Sequence, residues 1–327
     1  MIPPDDPARG DDLRSDPDVP SDIRYDPDLA VHEPMGVPDR PLEPSRRRSP
    51  LLLFVFGAAA LALLVYALFG LIASEGKTAA DYLVDIRLRP GGAWQAAFEL
   101  SRLIPLEEPH RRGPDFGPRL LEAFEDARGR DPRLRRYLAL ALKELREPAA
   151  LEALMAAVRD DADLETRLYA AWALGDLGDA RAAPALVLLL DSDEPDLRKI
   201  AAYALGSLRG GAGIEDALAP VVHDPVEDVA WNAALALARR GDRRGLPLLR
   251  RMLDRPYLDR VRRPDEHGRP LPLTEAQKEE AMLNALRSLT RLGDPSDREA
   301  LARLRDSDPS LRVRHAAGET LRSLAGP

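Results

Sequence analysis

The chain has 327 residues, a formal net charge of −8 and no cysteine. Its length admits one large or two ordinary domains, and the lack of cysteine excludes disulfides and thiolate zinc sites. The net negative charge argues against a general nucleic-acid binder, which needs a basic face, so we expect no nucleic-acid partner. Charged residues make up 31% and aromatic residues only 5%. Together with many alanines and leucines, these values are typical of a helical array.

Residues 1–50 are predicted to form a disordered tail. Proline and aspartate recur throughout this stretch, and aromatic residues are almost absent. No apolar periodicity is present from which a core could be built.

An unbroken apolar run follows from Leu51 to Ala73. As a helix it would rise about 35 Å, which is enough to cross a hydrocarbon core of about 30 Å. A cleaved signal peptide is the competing interpretation, but the acidic tail before the run is far too long for an ordinary positively charged leader. The run therefore predicts a permanent single-pass transmembrane helix.

The flanking charges predict the orientation of this helix. Arg46, Arg47 and Arg48 directly precede the run, whereas Lys77 is the only basic residue close to its other end. The positive-inside rule then places the tail in the cytoplasm and the rest of the chain across the inner membrane. Residues 74–92 are predicted to form a juxtamembrane helix and a linker.

A repeat of 31 or 32 residues begins near residue 93 and continues to the end of the chain. Its register is set by an Ala-Leu pair, found at Ala141-Leu142, Ala173-Leu174, Ala204-Leu205 and Ala236-Leu237. With that alanine as position zero, apolar residues recur at −7, −4, −3, 0, +1 and +4, the stripe of a helix with one buried side. Alanines at −2 favour a close approach of neighbouring helices.

Because one such unit cannot bury its apolar face alone, the copies must stack. The sequence predicts an all-α fold, an α-solenoid of about six helical pairs and a terminal helix over residues 93–327.

Two copies share the motif Arg-x-x-Ala-Ala-x-Ala-Leu-Gly-x-Leu, at Arg167–Leu177 and Arg198–Leu208. This motif resembles the HEAT repeat, in the variant often called phycobilisome-lyase-like. The resemblance implies the fold, whereas function must be argued from a site. It also implies an acidic residue in the turn before each arginine, which would tie one repeat to the next. The implied pairs are Asp131 with Arg135, Asp161 with Arg167 and Asp308 with Arg314.

Positions −5 and −1 lie opposite the buried stripe and are neighbours on the helix. On four helices they carry Arg136 and Leu140, Leu168 and Trp172, Lys199 and Tyr203, and Trp231 and Leu235. By resemblance to HEAT arrays this ridge would lie on the concave side.

Tryptophan and tyrosine dominate the energetics of interfaces, and exposed apolar stripes mark contact surfaces. We predict that Leu168, Trp172, Tyr203, Trp231 and Leu235 bind a protein partner. The alternative is that the aromatic rings pack between adjacent repeats.

An insertion separates two of the repeats at residues 255–274. Long loops in compact arrays are usually functional or disordered. This one is locally basic and carries Tyr257, Arg262, Arg263 and His267, which are predicted to clamp an acidic partner. A merely tolerated insertion is the alternative. Thr274 and Gln277 form a capping box that would restart the helix.

No constellation of catalytic residues is visible in the sequence. The 5 histidines lie on different elements without ligand spacing, and no nucleophile motif or phosphate loop is present. Some HEAT-like proteins are di-iron hydroxylases with repeated His-Glu pairs, and others are bilin lyases, but the only His-Glu pair here is His32-Glu33 in the tail. We expect no catalytic residue, no cofactor, no metal and no small-molecule substrate.

The sequence therefore predicts a protein that is not an enzyme. Its predicted role is that of a membrane-anchored scaffold for protein–protein interaction, or an accessory subunit of a bacterial envelope complex. The bias towards arginine over lysine favours a bacterial source. The alternative is a HEAT-like enzyme of the metal-dependent hydroxylase or bilin lyase type.

Overall fold

The computed structural model describes residues 58–65, 76–265 and 267–325. The predicted tail and most of the predicted span Leu51–Ala73 therefore lie outside the described residues. Residues 58–65 are helical and exposed, and they belong to a unit that comprises Met1–Gly70. The repeats belong to a second unit, Leu71–Pro327.

Across the described ranges, no helix is both long enough and apolar enough to cross a membrane. This finding contradicts the predicted inner-membrane location with the repeats outside the cytoplasm.

The second unit consists of short helices and one small hairpin. In chain order the helices are α1 (Ala79–Leu88), α2 (Ala93–Leu103), α3 (Phe116–Asp126), α4 (Pro132–Leu145), α5 (Leu151–Asp160), α6 (Leu164–Leu177), α7 (Ala183–Leu189), α8 (Pro195–Leu205), α9 (Ile214–Leu218), α10 (Glu227–Arg239), α11 (Leu246–Arg251), α12 (Arg255–Leu258), α13 (Glu275–Leu292), α14 (Arg298–Ser307) and α15 (Leu311–Ala325). Residues 93–325 thus form six helical pairs and the terminal helix α15, which confirms the predicted helical solenoid. The first helices of the pairs are α2, α4, α6, α8, α10 and α13.

Local sequence signals set the ends of these helices. Asp163 caps α6 because its carboxylate accepts a hydrogen bond from the backbone N–H of Thr166. The same helix ends at Gly178, whose φ of 68° suits glycine. At the start of α13 the predicted capping box is present, since Thr274 and Gln277 each bond the other's backbone N–H.

The first helices stack on one another along the array. Two glycines allow close contact between neighbouring first helices, at a different position of the repeat from the alanines at −2. A Cβ added to Gly175 would lie 2.8 Å from the Cα of Ala204, and one added to Gly206 would lie 2.7 Å from the Cα of Ala236. Backbones can approach this closely only where both side chains are very small.

The buried residues form two clusters that meet at α10. One cluster extends from α1 to α10, where it includes Ala233 and Leu237. The other contains Ala230, Trp231 and Ala234 of α10 and extends through the insertion to α15. Helix α10 therefore contributes side chains to both cores.

The insertion at residues 255–274 is an ordered part of the fold. It begins with the one-turn helix α12 and continues as a hairpin of β1 (Arg262–Pro264) and β2 (Pro270–Pro272). The two strands are antiparallel, with Arg263 opposite Leu271. Leu258, Val261 and Leu273 are buried in the second cluster, and this burial anchors the hairpin on the array.

Arginine side chains tie the repeats together, but not by the pairing that the resemblance implies. The observed ion pairs are Arg135 with Asp161 at 2.6 Å, Arg198 with Asp224 at 2.7 Å and Arg255 with Asp308 at 2.8 Å. Asp161 and Asp224 each lie just before the next first helix, and Asp308 lies just before the terminal helix α15. Each arginine therefore reaches forward along the array. The predicted pairing of Asp161 with Arg167 is therefore wrong, and Arg167 Nε instead donates to the carbonyl of Val158 at 3.0 Å.

Candidate partner-binding surface

The outward side of the first helices forms one surface, which we call the first-helix face. It is built from positions −5, −1 and +3 of the repeat. Seven residues predicted to line it are half-buried, with part of each side chain open to solvent: Arg136, Leu140, Leu168, Trp172, Lys199, Tyr203 and Leu235. These side chains pack against their neighbours, and their solvent-exposed parts remain available for contact with a partner.

Trp172 is held in place by a neighbouring cation. The ammonium of Lys143 lies 4.0 Å from the centre of the indole ring, within the range of a cation–π interaction. The same ammonium pairs with Glu144 at 2.8 Å and lies 3.7 Å from Asp176. Leu168, one helical turn before Trp172, packs against the first core cluster. Helix α6 therefore presents a fixed apolar pair rather than mobile side chains.

Tyr203 is fixed in a similar way by the next first helix. The guanidinium carbon of Arg239 lies 5.1 Å from the centre of the tyrosine ring. Arg239 Nη2 also donates to the backbone carbonyl of Tyr203 at 3.2 Å. The arginine of α10 thus packs against the C-terminal end of α8.

Trp231 and Tyr257 do not belong to the exposed surface that was predicted for them. Trp231 is only 4% exposed and Tyr257 only 7% exposed. Their rings meet edge to face with centroids 6.4 Å apart, and Trp231 Nε1 donates to the tyrosine hydroxyl at 3.0 Å. The repeat register places Trp231 on the outward side, but α12 folds back and covers it. The alternative of a packed aromatic is therefore the correct one at this position.

Contacts within the protein occupy part of the predicted basic clamp. Arg263 forms an ion pair with Asp228 of α10. Arg262 donates to the carbonyls of Asp259 at 2.6 Å and Val261 at 3.0 Å. His267 is exposed at the turn of the hairpin, and its backbone N–H donates to Asp265. Arg262 and His267 remain accessible, whereas Arg263 is already paired.

The N-terminal part of the first-helix face also carries paired charges. Arg136 donates two hydrogen bonds to Asp163, at 2.7 Å and 2.6 Å. Hydrogen bonds from Arg136 and Thr166 outweigh burial and hold the pKa of Asp163 below its usual value. The same pair raises the pKa of the Arg136 guanidinium.

A group of arginines at the other end of the face was missed by the sequence analysis. Arg239 occupies position +3 of its repeat, and Arg287 and Arg291 follow on α13. They line a cleft of about 200 Å³ together with Leu235, Asn284 and Ser288. Extending the register from −5 and −1 to +3 would have placed Arg239 on the first-helix face.

Within the part of the chain that the structure describes, no group of three or more histidine, cysteine, aspartate or glutamate side chains could hold a metal ion. The His32-Glu33 pair lies outside that part.

Comparison with protein families supports the repeat register. The family model of HEAT repeats matches residues 117–206 and 184–264. These ranges include Leu168, Trp172 and Tyr203, and the match confirms the predicted HEAT repeats there.

Two curated relatives are named for bilin chemistry. The chain is 36% identical over 111 residues to the phycocyanobilin lyase subunit alpha of Nostoc sp., which is 32% of this chain and 40% of the relative. It is 40% identical over 94 residues to the bilin biosynthesis protein PecE of Mastigocladus laminosus, which is 28% of this chain and 35% of the relative. The match thus spans well under half of either relative.

Among solved structures, the chain is similar to one described as the complex of CpcE and CpcF of phycocyanin lyase from Nostoc sp. PCC7120. The alignment covers 77% of this chain and 97% of that chain, with 22% identity and a TM-score of 0.48.

The names of the two curated relatives contradict the prediction that this protein is not an enzyme. They agree with the bilin lyase alternative better than with the membrane-anchored scaffold.

Proposed function

We propose that this protein is a lyase-type HEAT subunit, and that it works by holding a protein partner on its first-helix face. The observation that carries the proposal is the identity of 36–40% to a phycocyanobilin lyase subunit and a bilin biosynthesis protein. The chemistry named for those relatives provides the substrate class to test, which is a linear tetrapyrrole.

The partner-binding part of the proposal is supported by the partial burial and the cation contacts of two aromatic side chains. Trp172 and Tyr203 lie on adjacent first helices, half-buried and each in contact with a cation. Rings that are already fixed lose little conformational entropy on binding, and such pre-organised aromatic residues are frequent interface hot spots. Leu168 extends the same apolar area along α6.

The partner surface can be tested with a photo-cross-linking residue at position 172 of the full-length chain in its native host. Leu188 provides the matched control because it is an exposed apolar residue of α7, on the layer of second helices. We expect a discrete cross-linked partner from position 172 and none from position 188. Equal products from both positions, or none from either, would overturn the partner-binding part.

The lyase-type part is tested by adding phycocyanobilin to the purified full-length chain and recording the visible absorbance of the bilin. We expect a saturable spectral change, larger than with bovine serum albumin at the same concentration. If the cross-linked partner is also added, we expect bilin to become covalently attached to one of the two proteins. No spectral change and no attachment would refute a bilin-related function.

A further inference from the structure

Three arginines line the cleft between α10 and α13, and no acidic residue lines it with them. Arg239 comes from the end of α10, and Arg287 and Arg291 come from α13. A volume of about 200 Å³ is below the range of drug-sized pockets and suits a single small group of a ligand.

These arginines differ from most other arginines of the first helices. Within the described ranges none of the three forms an ion pair, whereas the adjacent Arg240 pairs with Glu215 at 2.7 Å. Arg135 and Arg198 are paired as well. Three positive charges are therefore gathered in one cleft of a protein whose formal net charge is −8.

Arg239 is the most confined of the three. Its Nη2 donates to the carbonyl of Tyr203, while its Nε is buried and has no hydrogen-bond partner in the described structure. Burial and the nearby charge of Arg291 lower the pKa of its guanidinium. Gly206 leaves the space that the side chain needs, since a Cβ there would lie 2.8 Å from Nη2. The fold thus maintains a half-buried cation, with a buried Nε, and places no acid beside it, an arrangement that is costly.

The other donors of the cleft are held by local contacts. Arg291 Nη1 donates to the carbonyl of Arg239 at 3.2 Å, which joins α13 to the end of α10. Arg287 Nη2 donates to Asn284 Oδ1. Arg287 and Arg291 lie one helical turn apart on the same side of α13.

We propose that this cleft binds an oxyanion, the carboxylate or phosphate group of a ligand, between Arg239 of α10 and the pair Arg287 and Arg291 of α13. Guanidinium groups bind such oxygens through paired charge-assisted hydrogen bonds, and a bound anion would offset the repulsion among the three cations. The inference rests on the arginine geometry and takes nothing from the lyase-type function.

The test is thermal unfolding of the full-length chain in inorganic phosphate or in succinate, each compared with sodium chloride at the same ionic strength. We expect at least one of the two anions to raise the unfolding midpoint in a saturable way. A response to phosphate alone would assign a phosphate group to the site, and a response to succinate alone would assign a carboxylate. No response to either would refute the site.

Variants distinguish a site from general charge effects. The double variant Arg287→Gln/Arg291→Gln should bind the effective anion at least about tenfold more weakly, as expected for the loss of one charge-assisted hydrogen bond. The control Arg128→Gln/Arg130→Gln removes the same charge from two exposed arginines after α3 and should respond like the wild type. Equal losses in both variants would overturn the proposal.

Arg239→Met separates anion binding from a purely structural role of Arg239. We expect the variant to fold and to lose the anion-dependent rise in its midpoint. A variant that retains the full rise would show that Arg239 serves only to pack against α8, and would remove it from the site.

Discussion

Trp231 Nε1 donates a hydrogen bond to the hydroxyl oxygen of Tyr257 over 3.0 Å, and this contact joins the insertion to α10. Both rings are buried. A buried indole N–H needs an acceptor, and the tyrosine that supplies it comes from the one-turn helix α12. The insertion is therefore bound to the array through a polar contact inside an apolar cluster.

Tyr257→Phe removes this acceptor and leaves the indole N–H of Trp231 buried and unsatisfied. We expect the free energy of unfolding to fall by about 1–3 kcal/mol, the cost of such an orphaned donor. Urea unfolding followed by circular dichroism measures the change. Tyr169→Phe serves as the control, because Tyr169 is half-buried and its hydroxyl makes no hydrogen bond within the described residues. Equal losses in both variants would contradict the role of the Trp231–Tyr257 bond.

Two of the three tryptophans of the repeats, Trp172 and Trp231, should respond differently to truncation. Trp231→Ala empties a buried site and should cost about 3–5 kcal/mol of stability. Trp172→Ala should cost only about 1–2 kcal/mol, since part of that ring is already in water and less apolar area is lost. Thermal unfolding of both variants provides the comparison. If Trp172→Ala proves the more destabilising of the two, Trp172 is a core residue and not an anchor for a partner.

Gly175→Ala tests the close packing of the first helices. The added methyl would lie 2.8 Å from the Cα of Ala204, so α6 and α8 would have to move apart. Overpacking of this kind typically costs about 1–3 kcal/mol. The same change at Gly91, where a Cβ would have no heavy atom within 4 Å, should leave the urea midpoint almost unchanged. A neutral Gly175→Ala variant would mean that the helices have room to separate.

Asp163→Asn should change the pH dependence of stability. The pKa of Asp163 in the folded protein lies below its ordinary value of 3.8, so the ionised form stabilises the fold. This contribution is fully present above pH 3.8 and is lost as the pH falls through the lower folded pKa. Asparagine keeps the cap on α6 but loses the charge that pairs with Arg136.

The wild type should therefore exceed Asp163→Asn in stability by about 1 kcal/mol at pH 6, a value limited by partial exposure of the pair. The difference should shrink as the pH is lowered from 4 towards 2. Urea midpoints across this range give the profile, with Asp191→Asn as an exposed control. A difference that does not vary with pH would show that the charge of Asp163 is unimportant.

The repeat architecture could be predicted from the sequence because its signals are local and recur. The Ala-Leu pairs fix which side of each first helix is buried, and the glycines at 175 and 206 mark two close contacts. The capping box at Thr274 likewise depends on residues three apart. Each of these features is decided within one or two turns of helix.

The predictions that failed concern residues distant in the chain. Leu168 and Trp231 occupy the same register position, yet only Trp231 is buried, because Tyr257 folds onto it. Arg135 pairs with Asp161 of the following repeat, a partner that no spacing within one repeat identifies. The arginine cleft was missed for the same reason, since Arg239 and Arg287 are brought together only by the packing of α10 against α13.

Helix α10 contributes side chains to both buried clusters, so it is the helix through which the two clusters are joined. If the cluster that includes the insertion lost its packing, one side of α10 would become exposed. Ala233 and Leu237 would still hold the other side of the helix in the first cluster. A ligand bound between α10 and α13 would stabilise the packing of α10 against α13. The occupancy of one cleft would thus be communicated to the neighbouring α8, and through it to the surface that carries Tyr203.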